Sequence, residues 1–162
     1  MAAKTNALKV TLPSDREIKL TREFDAPRHL VFEAMSKPEY IRKWWGPRGT
    51  ELTTCDMDFR SGGRWRFVSR GPDGIEHPFK GVYREVSPPD RIVWTFTYDV
   101  PPINEHEAVE TVTFEERDGR TFLTVVSLHD SKESRDAHVQ SGMEKGAGET
   151  YDRLEELLAK MA

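Results

Sequence analysis

Six strand-like segments in a row, joined by turns and followed by one apolar helical stripe, constrain this chain more than any other feature. The segments span 51–59, 64–70, 78–86, 92–98, 108–116 and 121–128. Between them stand Ser61-Gly62-Gly63, Gly71-Pro72-Asp73-Gly74, Ser87-Pro88-Pro89-Asp90 and Asp118-Gly119, with one longer loop over 99–106. Glycine and proline at these positions supply the backbone angles that tight turns need. Connections this short leave no room for crossover helices, so neighbouring strands run antiparallel. Trp94, Phe96 and Tyr98 alternate with Val93, Thr95 and Thr97, which gives the sheet one strongly aromatic face; Trp65 and Phe67 add to it.

One strand and helical segments bracket this run. Residues 17–24 alternate, with Ile18, Leu20 and Phe24 as apolar members, and read as the first strand. Asp25 is placed to cap the next helix, and Pro27 suits its first turn. Leu30, Val31, Ala34 and Met35 recur at helical spacing. A second short helix starts at Ser36-Lys37-Pro38, carries Tyr40 and Ile41, and ends in Trp44-Trp45 before Gly46-Pro47. At the other end, Asp130 with Glu133 reads as a capping box. Val139, Met143, Ala147, Tyr151, Leu154, Leu158 and Met161 then form one stripe. Gly142, Gly146 and Gly148 lie within it and point to close approach, a kink or open space; a break near Gly142 is the alternative. The expectation is an α+β domain: a curved antiparallel sheet of six to seven strands around a long C-terminal helix, with two short helices after strand one. Residues 1–15 read as a flexible lead-in and 16–162 as a single domain.

Composition narrows the function classes. The 162 residues suit one domain with a substantial core. A net charge of −4 disfavours a general nucleic-acid role. Arg60, Arg64, Arg66 and Arg70 read as a solvated strand face, with a phosphate-binding patch as the lesser reading. No apolar run approaches the roughly 18 residues of a membrane span, and the first residues lack the apolar segment of a signal peptide. Cys55 is the single cysteine, so no internal disulfide forms, and a cytoplasmic location is the default.

Candidate chemistry is concentrated in the aromatic residues. Trp44, Trp45, Trp65, Phe67, Phe79, Tyr83, Trp94, Phe96 and Tyr151 either line an apolar pocket between sheet and terminal helix or simply pack the core. Met143 and Ala147 on the helix, and His106 in the loop before the fifth segment of the run, complete the candidate ligand-binding set. Glu105-His106-Glu107 could hold a histidine beside carboxylates for acid–base work; an exposed loop end is the simpler reading. Asp56 and Asp58 share one strand face and read as solvated rather than as a catalytic pair. His29, His77, His129 and His138 show no zinc-ligand spacing, so no metal is implied. Cys55 reads as a buried structural thiol. No cofactor-binding loop is present in the sequence pattern.

Asp25-Ala26-Pro27, Trp44 with Gly46-Pro47, Asp58-Phe59-Arg60 with Gly62-Gly63, Gly81, Pro88-Pro89 with Arg91-Ile92-Val93, and Gly142-Met143-Glu144-Lys145-Gly146 together carry a family resemblance. Across roughly residues 17–160 the chain resembles the helix-grip fold of the START and birch-pollen-allergen superfamily, SRPBCC. Within it the chain is similar to the family named for the activator of the heat-shock protein 90 ATPase. Many relatives carry tryptophan after the glycine corresponding to Gly146; here Ala147 stands there, which would either enlarge a cavity or leave a gap that Trp44 or Trp65 fills. The resemblance implies a domain that binds a small hydrophobic or amphipathic molecule between sheet and C-terminal helix. Two alternatives stay open. One is a cyclase- or hydrolase-like enzyme using His106 or Tyr83 as acid or base. The other is a chaperone-assisting or stress-response domain with a protein partner.

Overall fold

A computed structural model describes residues 6–161. Residues 1–5 of the expected lead-in lie outside the described residues. The elements follow the order β1 (Lys9–Thr11), β2 (Glu17–Phe24), α1 (Arg28–Ala34), α2 (Pro38–Trp44), β3 (Glu51–Met57), β4 (Arg64–Arg70), β5 (Glu76–Ser87), β6 (Arg91–Tyr98), β7 (Ala108–Arg117), β8 (Arg120–Leu128), α3 (Lys132–Gln140) and α4 (Met143–Met161). The strands form one sheet of eight, ordered β1-β2-β8-β7-β6-β5-β4-β3, and every pairing is antiparallel. The first long strand thus pairs with the last strand, β2 with β8.

The alternation of each strand decides which face is inward. On β2, Ile18, Leu20, Arg22 and Phe24 are buried. On β7 the same parity selects Ala108, Glu110, Val112 and Phe114, and on β8 it selects Thr121, Leu123, Val125 and Ser127. The helix α4 lays Leu154, Leu157 and Leu158 into this concave face, and all three are buried. α1 and α2 contact α4 alongside, and α2 also packs on β3. The grip is closed by ion pairs: Arg22 on β2 reaches Asp152 at 2.8 Å and Glu155 at 3.5 Å on α4.

Several local expectations are corrected. The lead-in includes β1, which pairs with β2 from Lys9↔Thr21 to Thr11↔Lys19, so the sheet has eight strands. Asp25 does not cap α1. Pro27 holds that position without a side-chain bond, and the Asp25 carboxylate instead accepts from Arg120 Nε at 2.8 Å. At α3 the cap is Ser131, whose side chain accepts from the Ser134 N–H; Asp130 is drawn away to His106. The terminal helical region breaks at Gly142, which adopts φ +85°, the left-handed conformation that glycine reaches without steric cost. Gly81 has a different reason to be glycine. A Cβ there would lie 1.9 Å from the Thr95 carbonyl and 2.4 Å from Trp65 Nε1.

Candidate functional site

Three helices and four strands converge on one interior space. It has a volume of about 110 Å³ and is walled by Met35, Ile41, Trp44, Trp45, Trp65, Phe67, Tyr83, Trp94, Phe96, Glu110, Val112, Thr150 and Tyr151. Trp44 and Trp45 arrive from the end of α2, Trp65 and Phe67 from β4, Tyr83 from β5, and Trp94 and Phe96 from β6. Thr150 and Tyr151 close it from α4. Edge-to-face and tilted ring contacts fix the wall. Trp65 lies 4.8 Å from Phe67 and 5.9 Å from Phe96, and Trp45 lies 5.3 Å from Phe67. Trp44 stacks on Tyr151 at 6.4 Å.

The structure therefore brings together Trp44, Trp45, Trp65, Phe67, Tyr83, Trp94, Phe96 and Tyr151 of the candidates read from the sequence. It places four elsewhere. Phe79 stands behind the wall, against Trp45 at 5.1 Å and Phe96 at 5.4 Å. Met143 and Ala147 pack half-buried against the core without lining the cavity. The neighbouring Gly146 faces Pro47, nothing lies within 4 Å of a Cβ on Gly148, and neither glycine is among the residues that wall the cavity. His106 is exposed and bonds Asp130 through Nδ1 at 2.8 Å, so it faces solvent rather than the interior. Its nearest sequence carboxylates are not its partners; Glu107 pairs with Arg84 at 3.6 Å.

Sequence reasoning missed Glu110. Its carboxylate is the acidic group of the cavity wall and sits in a cross-strand row, Trp94–Glu110–Ser127. Trp94 Nε1 donates to Oε1 at 2.8 Å and Ser127 Oγ donates to Oε2 at 2.5 Å. The signal was available: Glu110 occupies an inward parity position between Ala108 and Val112, where a strand that buries one face carries apolar residues. Two histidines lie behind Phe96. His138 stacks on it at 6.5 Å and bonds His129 through Nδ1 and Nε2 at 3.0 Å, while His129 Nδ1 is buried without a partner. Burial holds both imidazoles below their ordinary range, with His138 as a further cause for His129. The Tyr83 and Tyr151 hydroxyls are pushed up by burial, and for Tyr151 the Glu110 charge adds to it.

The other candidates settle as solvated or structural features. Arg60 pairs with Asp58, Arg66 with Asp99 and Arg70 with Glu51, all at the surface. Cys55 is buried, and burial raises its thiol. Among the described residues no three His, Cys, Asp or Glu side chains gather as metal ligands would, and no helix is long and apolar enough to cross a membrane. A wider groove of about 820 Å³ runs outside, between α1, α2 and α4. Several charged residues on its walls have partners: Arg48 binds Glu156, Glu33 binds Lys37, and Arg153 donates to the carbonyls of Lys43, Gly46 and Pro47. It is an open surface hollow, distinct from the aromatic interior.

An antiparallel sheet gripping a C-terminal helix over an aromatic interior defines a helix-grip domain of the SRPBCC type. The match of residues 25–159 to the family described as activator of Hsp90 ATPase homolog 1-like protein places the chain in that family. Solved structures agree. A Nitrosomonas europaea protein is 27% identical over 93% of this chain and 98% of its own, with a TM-score of 0.82. A Rhodobacter sphaeroides protein is 26% identical over 96% of this chain and 99% of its own, with a TM-score of 0.88. An AHSA1 protein from Silicibacter pomeroyi shares the fold at 22% identity, covering 90% of this chain and 99% of its own, with a TM-score of 0.71. No curated protein matches the chain.

Proposed function

We propose that this domain binds a small apolar or amphipathic molecule in the space between the sheet and α4. The observation that carries the reading is an interior void walled by aromatic rings into which one carboxylate and two tyrosine side chains project. Apolar walls with a few convergent polar groups are the usual composition of a small-molecule site. At about 110 Å³ the space is well below the roughly 300–1,000 Å³ of sites for drug-sized ligands, so the occupant is small unless aromatic side chains turn aside.

All four tryptophans of the chain stand in the cavity wall, so intrinsic fluorescence reports on its contents directly. Native mass spectrometry of protein purified without detergent, followed by titration with small aromatics such as indole analogues lacking overlapping emission, tests the proposal. A co-purified mass or a saturable change in tryptophan emission is expected. Absence of both would remove the binding reading and move the function toward the chaperone-assisting alternative that the family description carries.

A further inference from the structure

The charge on the cavity wall is one-sided: among the described residues, Glu110 is its one charged side chain. Trp44 Nε1 donates to the Ala34 carbonyl at 3.0 Å, Trp65 Nε1 to the Thr95 carbonyl at 3.2 Å, and Trp94 Nε1 to Glu110 at 2.8 Å. Thr150 Oγ1 donates to the Gly146 carbonyl at 2.8 Å. These three indoles and this hydroxyl are thus committed to protein acceptors. What remains to meet an occupant are the aromatic rings, the Tyr83 and Tyr151 hydroxyls, which burial keeps neutral, and the carboxylate of Glu110. A carboxylate has about four acceptor positions, and two donors occupy only part of them. No lysine or arginine among the described residues pairs with Glu110. The nearby His129 and His138 are held toward the neutral form by burial, so they supply no standing positive charge against it.

Ring faces carry the negative end of the aromatic quadrupole and attract cations, most strongly when water is excluded. A negatively charged acceptor among such rings, with no lysine or arginine paired to it, is complementary to a cation that also has apolar surface. We propose that the cavity selects a small organic cation, an alkylammonium group held over the Trp65, Trp94 and Tyr151 rings with its charge toward Glu110. This rests on the binding reading above and names the chemical class of the occupant. The volume of about 110 Å³ fits the head of such a molecule and excludes a lipid chain.

The test compares two probes of nearly equal shape that differ in charge: tetramethylammonium and tert-butanol, each followed by tryptophan emission and checked by calorimetry. The expected result is tetramethylammonium binding at least about tenfold tighter than the neutral probe, as a desolvated cation–π site provides. Glu110→Gln keeps nearly the same volume and one acceptor oxygen while removing the charge, and should erase most of that preference. Equal or tighter binding of tert-butanol by the parent protein would overturn the cation assignment while leaving an apolar ligand site in place. Binding of neither probe, nor of any small aromatic, would overturn both. The parent protein's preference decides the point even where the Glu110→Gln variant fails to fold.

Discussion

Arg22 projects inward from β2 and donates to Asp152 Oδ1 of α4 at 2.8 Å, with its side chain 2% exposed and that of Asp152 49% exposed. A guanidinium at an inward parity position, beside Ile18, Leu20 and Phe24, is tolerable only because α4 brings carboxylates to it. Removing one partner of a fully buried pair costs about 3–5 kcal/mol. Water can replace part of the half-exposed Asp152, and Glu155 remains nearby, so Asp152→Ala should cost about 1–2 kcal/mol in urea unfolding. Arg22→Met, which removes the charge and keeps the volume, should lie within about 1 kcal/mol of the parent. A larger loss for Met than for the Asp152 variant would mean that the pair, rather than the burial, holds β2 to α4.

Leu154 is fully buried at the centre of the α4 face. Leu154→Ala should destabilise the domain by about 2–5 kcal/mol, the usual range for deleting a buried aliphatic side chain. Chemical denaturation measures it, and a loss below about 0.5 kcal/mol would place the residue outside the core.

Glycines on the same fold should respond in opposite directions. Gly148 lies inside α4 with nothing near the position of a Cβ, so Gly148→Ala should stabilise by about 0.5–1 kcal/mol. Gly81→Ala would drive a methyl into the Thr95 carbonyl and the Trp65 indole, and should lower the melting temperature markedly. Thermal melts of the two variants, run together, check both signs.

The His129–His138 pair predicts an acid-side loss of stability. Both imidazoles take up a proton less readily in the folded chain than their ordinary value of 6.5 allows. As pH falls below about 6.5, the unfolded chain binds protons that the folded chain resists, so unfolding is favoured. The contribution is fully present above 6.5 and is lost as pH falls through the lowered folded values. His138→Asn keeps a polar partner for His129 and removes one titrating group, so it should flatten stability against pH between about 5 and 6.5. An unchanged slope would assign the acid sensitivity to carboxylates instead.

Much of the fold was legible because strand parity and turn residues are local signals. The six segments from 51 to 128 appear as β3 to β8, and the α4 stripe buries Leu154 and Leu158 as its spacing implies. What escaped depends on tertiary partners. β1 has three residues, too few for alternation to register, and exists because β2 offers an edge. Asp25 and Asp130 look like helix caps, yet Arg120 and His106, distant in sequence, compete for their carboxylates. The aromatic wall was readable from Trp44 to Tyr151, but Phe79 and Ala147 share its composition without sharing its position. Glu110 was hidden by the habit of assigning charges to the outer face, although its parity with Val112 and Phe114 placed it inside.

The two outer strands of the sheet, β1 and β3, carry a consequence for behaviour at high concentration. An exposed sheet edge is a template on which another molecule can add a strand and begin an aggregate. β1 spans only Lys9–Thr11, so an incoming strand would find about 10 Å of pairing length there. On β3 the register shifts between Leu52 and Thr54, and Thr53 turns its hydroxyl to Glu76 at 3.0 Å instead of joining a regular ladder. One edge is too short to nucleate growth and the other is too irregular. The sheet can remain open, as a grip requires, without recruiting copies of itself.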